Sequence, residues 1–129
     1  MMTEPQIKNW FEYHAPTPET EPKYAAIRAC EADVLGGLGV VDACVDEPPG
    51  VAYDNVNALC RRFAVCIDTN APDSADKTAA IRCVRLARNA ANEAVTKVGG
   101  DRARLFALAR TEIQKARWQA MSAVACGWL

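Results

Sequence analysis

Apolar side chains recur along this chain at steps of three and four residues, and four stretches carry the pattern. In the first, Tyr24, Ile27, Val34, Leu38 and Val41 share one helix face. Thr20 is placed to cap that helix, and Pro22 falls in its first turn, where proline is tolerated. In the second, Val56, Leu59, Cys60, Phe63 and Ile67 form the face. Asn70-Ala71-Pro72-Asp73-Ser74 then breaks the helix, because Pro72 cannot donate to the hydrogen-bond ladder. Asp73 or Ser74 can accept from the first N–H groups of the next helix. The third face, Ile81, Val84, Ala87, Ala91, Ala94 and Val95, consists largely of small residues. Alanine on an inward stripe lets two backbones approach, which predicts a tight antiparallel hairpin over residues 51–98. Gly99-Gly100 reads as the stop of that hairpin and Asp101 as the cap of a last helix, Arg102 to about Ala125. Its face is Leu105, Leu108, Ala109, Ile113, Ala116, Ala120 and Ala123.

Gly36, Gly37 and Gly39 weaken the first helix, so it either bends there or meets another backbone closely. Asp46-Glu47-Pro48-Pro49-Gly50 is a connector. A shift of 29 residues lays Tyr24–Leu38 over Tyr53–Ile67 and Ala80–Val95 over Ala109–Val124. The shared offset reads as a nested duplication. The expected fold is all-α, a four-helix arrangement of two nested antiparallel hairpins in one domain. Outer helices at 20–45 and 101–125 enclose the inner hairpin, and an extended arm at 1–19 precedes them. That arm, Trp10-Phe11-Glu12-Tyr13-His14-Ala15-Pro16-Thr17-Pro18, holds three aromatics and the sole histidine. Its rings either staple the arm to the bundle or complete a pocket in which a flat ring stacks on a base. Trp128, in the apolar tail, is expected to pack.

Composition narrows the class. Of 129 residues half are apolar and about a quarter charged, the balance of an ordinary globular protein. No apolar run approaches bilayer-crossing length and the start has no signal-peptide pattern, so a cytoplasmic chain without a membrane partner is expected. The six cysteines form no C-x-x-C pair. Cys60 lies on an apolar stripe, with Cys30, Cys66 and Cys83 on or beside one, so reduced structural thiols are expected and no metal site. The formal charge of −1 hides an asymmetry: residues 1–70 carry five Lys/Arg against eleven Asp/Glu, and residues 71–129 ten against five. Either acidic and basic helices neutralise one another, or the basic half gathers around a small anion. Polymeric nucleic acid would call for a more basic domain.

At finer grain the residues resemble a family. Pro48-Pro49, Tyr53, Ile67-Asp68, Ala71-Pro72-Asp73-Ser74 and Ala91-Asn92-Glu93-Ala94 are similar to the helical-hairpin domain of phage anti-CBASS and anti-Thoeris sponge proteins. Tyr13-His14-Ala15-Pro16 with Lys23-Tyr24-Ala25-Ala26-Ile27-Arg28 resembles the family's opening. Arg104-Leu105-Phe106-Ala107-Leu108-Ala109-Arg110-Thr111 resembles a segment of the larger anti-CBASS members. The chain departs from the pattern at Ala71, where cysteine is usual, at Leu105, where tryptophan is common, and at Asn89-Ala90 in place of M-W.

The resemblance implies a protein without enzyme activity or cofactor that binds cyclic di- or trinucleotides, or cyclic ADP-ribose-type signals, of bacterial defence. It would hold them intact in the host bacterial cytoplasm. It also implies a homo-oligomer, and three two-hairpin chains would rebuild the family's six-part assembly. Tyr13 becomes the stacking candidate, with His14 beside it. Lys23 and Arg28, flanking Tyr24, become phosphate contacts, with Arg104 and Thr111 as further phosphate and hydroxyl contacts. Arg82, Arg85 and Arg88 form a basic ridge, and Asn89 and Asn92 sit one turn apart for ligand or partner chain. A packed arm, exposed helix-face charges and inter-helix salt bridges are the structural alternatives for these residues. The rival functions are a helical-bundle phage protein that binds a host protein and, third, a weak nucleic-acid binder.

Overall fold

The computed structural model describes residues 3–4 and 20–126. Within them lie four helices: α1 (Glu21–Ala43), α2 (Pro49–Asn70), α3 (Ala75–Val95) and α4 (Gly99–Cys126). No strand occurs among the described residues. The protein is all-α. Each helix packs on its neighbours in a ring, α1 on α2, α2 on α3, α3 on α4 and α4 back on α1, with little contact across the diagonals. Short connections make successive helices antiparallel. Interhelical bonds confirm the directions: Ser122, late in α4, donates to Asp76 at the start of α3 at 2.9 Å. Arg102, early in α4, reaches Val41 O at the end of α1.

The core follows most of the faces that the apolar spacing marks out, but Leu108 of the expected last-helix face is exposed, Ile81 and Val95 are half-buried, and Phe106 is fully buried instead. All five expected positions of α1 and all five of α2 are buried. So are the paired positions at the 29-residue offset, among them Ile27 with Val56, Val34 with Phe63, Ala87 with Ala116 and Ala91 with Ala120. Burying a Leu, Val, Ile or Phe side chain contributes about 1.5–3 kcal/mol each. α1 continues through its glycines as one uninterrupted helical span. Gly37 is there for space: a Cβ at this position would lie 2.5 Å from Leu59 Cδ2. Gly36 and Gly39 meet nothing.

The tightest pair is α3 with α4, not the α2–α3 hairpin that the alanine stripe suggests. Alanines on both helices, including Ala80, Ala87 and Ala94 on one and Ala109, Ala116 and Ala123 on the other, are fully buried. Two alanine faces permit a closer approach than one alanine face against Leu59 and Phe63. The turn between α2 and α3 follows its side chains. Ser74 Oγ accepts from the Lys77 N–H at 3.1 Å, while Lys77 Nζ donates to Asp68 O and Asp73 Oδ1. Gly99-Gly100 does not stop the third helix. That helix ends at Val95 with Thr96 as its C-cap. Gly99, at φ +62°, instead opens α4, a conformation that favours glycine. Asp101 consequently sits inside the first turn of α4, where its charge favours the helix dipole. Trp128 and the aromatic arm lie outside the described residues.

The acidic first half and basic second half meet where α1 lies on α4. Asp42 pairs with Arg102 at 3.2 Å and with Arg110 at 3.3 Å, and Glu31 pairs with Arg117 at 2.6 Å. Neutralisation between helices thus accounts for part of the charge asymmetry. It does not reach the arginines of α3.

Candidate ligand-binding groove

α2 and α3 leave a groove of about 530 Å³ between them. Its walls follow helical spacing on both sides. α2 contributes Asn57, Cys60, Arg61 and Ala64, and α3 contributes the row Ile81, Arg85, Arg88 and Asn92, with buried Val84 on one side of it and exposed Asn89 on the other. The floor is apolar: Cys60 and Val84 are buried, and Ala64 and Ile81 half-buried. Arg61, Arg85 and Asn89 stand exposed at the rim, with Arg88 half-buried below them. The volume falls in the ~300–1,000 Å³ range usual for small-molecule sites.

Arg61, Arg85 and Arg88 form no ion pair or hydrogen bond with any of the described residues. Three uncompensated guanidinium groups on one groove make it a positive site, and their planar forks match phosphate oxygens two at a time. Deeper in, Asn92 Nδ2 donates to Asn57 Oδ1 at 3.2 Å, joining the two walls. That leaves the Asn57 amide N–H groups available and the Asn92 Oδ1 buried without a partner among the described residues. Amides in this position can read the donors and acceptors of a base edge. Burial pushes the Cys60 thiol up to about 11, with Arg88 pulling weakly the other way. The thiol is therefore protonated at neutral pH and acts as floor rather than nucleophile.

Of the residues singled out in the sequence, Arg85, Arg88, Asn89 and Asn92 come together in this groove. Arg82 lies just outside it, in a shallow depression with Thr78, Ile81 and Arg85. Tyr24 does not line the groove: it is 1% exposed in the core, and its hydroxyl bonds to Thr20. Its ring occupies the first position of the α1 apolar face, and register rather than residue type decides that. Lys23 and Arg28 lie exposed on α1, away from the groove, and Arg28 pairs with Glu21 at 3.0 Å. Arg104 and Thr111 are exposed on α4, which does not line the groove. Thr111 Oγ1 donates to the Ala107 carbonyl of its own helix. These four residues thus do not line the α2–α3 groove with Arg85. Each helix turns them onto its own solvent face. Tyr13 and His14 lie outside the described residues.

Asn57 and Arg61 complete the groove and were not among the sequence candidates for ligand contact. The available signal was positional. Asn57 and Arg61 flank Cys60 at the edge of the α2 apolar stripe, where a helix turns from core to rim. No protein-family model, curated protein or solved structure matches the chain. Among the described residues no cluster of His, Cys, Asp and Glu could hold a metal ion, and no helix is long and apolar enough to cross a membrane.

Proposed function

We propose that the α2–α3 groove binds a small phosphate-bearing nucleotide and holds it without chemistry. Following the sequence resemblance, the ligand class is the cyclic di- or trinucleotide, or cyclic ADP-ribose-type, signal of bacterial anti-phage defence. The protein then serves a phage by sequestering that signal in the host cytoplasm. One observation carries the reading: three arginines without an ion pair among the described residues share one apolar-floored groove of ligand size with three asparagines. Arginine forks supply the phosphate contacts, the amides supply base-edge contacts, and the floor takes the apolar face of a base.

The test is thermal unfolding of the full chain with a panel of cyclic nucleotides and cyclic ADP-ribose isomers. A ligand that binds only the folded protein adds about 4 kcal/mol of stability at a thousandfold excess over its Kd. One class should raise the midpoint, and denaturation should return that ligand intact. Arg85→Ala with Arg88→Ala should abolish the shift while leaving the unliganded midpoint nearly unchanged. A panel without any shift, or a shift indifferent to those arginines, would sink the reading. The alternative, a bundle that binds a host protein, is favoured by the exposed Leu86 and Leu108 beside the α3–α4 groove.

A further inference from the structure

The outward crest of α3, between its two grooves, carries Arg82, Leu86, Asn89 and Glu93, all exposed. Their spacing of four, three and four residues is the seam spacing by which one helix lies along another. It also reads the same in both directions. An antiparallel copy of the helix, related by a twofold axis midway between Leu86 and Asn89, sets Arg82 opposite Glu93 at each end. The same axis sets Leu86 opposite Asn89 in the middle. Neither the Arg82 guanidinium nor the Glu93 carboxylate has an ion pair among the described residues. Beside the seam lies a seat of about 230 Å³ between α3 and α4, whose apolar lining is Leu86, Ala90, Leu105 and Leu108 and whose polar lining includes Glu93 and Glu112. Leu86 is 48% and Leu108 44% exposed.

We infer that this chain forms a twofold dimer through α3, with a second copy as the occupant of the crest. Charge complementarity selects that occupant over an unrelated protein. The basic and acidic ends of the crest are matched to each other about its own midpoint, as a self-complementary interface requires. Leu86 of each copy reaches the α3–α4 seat of the other, and the two cross-seam Arg82–Glu93 pairs fix the antiparallel register. The contact closes at two copies, so it differs from the three-chain ring that the family resemblance implies. It does not depend on which ligand the α2–α3 groove binds, although Asn89 lines both grooves and lies on the seam.

Sedimentation equilibrium on the full chain should give twice the chain mass. Leu86→Glu, at a half-exposed position, should give the chain mass with an unchanged far-UV circular dichroism spectrum. Arg82→Glu and Glu93→Arg should each raise the dimer Kd by about tenfold or more, because each sets like charges face to face. Combined, they should return the Kd to within about threefold of wild type, since the pairs are re-formed with signs exchanged. A wild-type chain that stays at chain mass or forms a trimer overturns the inference. So does a Leu86→Glu variant that still dimerises, or a double exchange no tighter than the single ones.

Discussion

Replacing Arg102 by alanine should cost about 3 kcal/mol of stability, because this one side chain ties together two helix C-termini. Its Nε donates to Asp42 Oδ1 at 3.2 Å. One terminal nitrogen donates to the last-turn carbonyls of α1, Val41 O and Asp42 O, both at 3.1 Å. The other lies 3.5 Å from Ala94 O and 3.4 Å from Val95 O at the end of α3. The guanidinium also stacks over the Phe106 ring, 5.1 Å from its centroid. The last carbonyls of a helix have no intrahelical donors, and hydrogen bonds from a charged group contribute about 1.5–3 kcal/mol each. The two 3.1 Å bonds dominate. The longer pair adds little, and water re-solvates part of what is lost. Asp42 is not stranded, since Arg110 still reaches its other oxygen at 3.3 Å. The side chain is only 11% exposed, so added salt should not erase the effect. Against a total of about 5–15 kcal/mol for a typical domain, this is a large fraction. Arg102→Lys should recover less than half, because a single ammonium cannot serve both helix ends. Urea unfolding followed by circular dichroism measures it, with exposed Arg104→Ala as a control expected within ~0.5 kcal/mol of wild type. A cost under about 1 kcal/mol for Arg102→Ala, or a lysine variant as stable as wild type, would refute the two-ended clamp.

Two further predictions concern α1. Gly36→Ala and Gly39→Ala should each stabilise the protein by about 0.5–1 kcal/mol, since alanine is the better helix former and nothing opposes its Cβ. Gly37→Ala should instead destabilise, because its Cβ would force the buried Leu59 side chain aside. Equal effects at all three positions in denaturant titrations would contradict the Leu59 contact. Burial pushes the Glu31 carboxyl above its ordinary value, partly countered by Arg117. The folded protein therefore holds this proton more tightly than the unfolded chain does. The resulting stability is full below the ordinary glutamate value and is lost as pH rises through the raised one. Glu31→Gln cannot ionise, so the stability difference between it and wild type should drift in favour of the variant over that rise. A pH-independent difference would remove the argument.

The helices themselves were legible because their apolar positions leave few choices. Tyr24, Ile27, Val34, Leu38 and Val41 can share a face only at 3.6 residues per turn, and hiding that face is favourable in any packing. Stops and starts were legible where a side chain or proline dictates them, as at Pro72 and Ser74. They were misread at Gly99, because a glycine just beyond a helix and one opening the next look alike in one dimension.

Which helix lies beside which was less legible. The alanine stripe of α3 fits a close partner on either side, and only the facing alanines of α4 decided the tight pair. Arginine shows the same division. Arg102, Arg110 and Arg85 are one residue type in similar helical contexts, yet two meet Asp42 of α1 and the third stands over a groove. Sequence determined that this chain makes four amphipathic helices with these buried faces, because burial is a local periodic property. Only the tertiary arrangement decided which charges are neutralised and which remain free to bind, because that depends on the neighbour each helix presents.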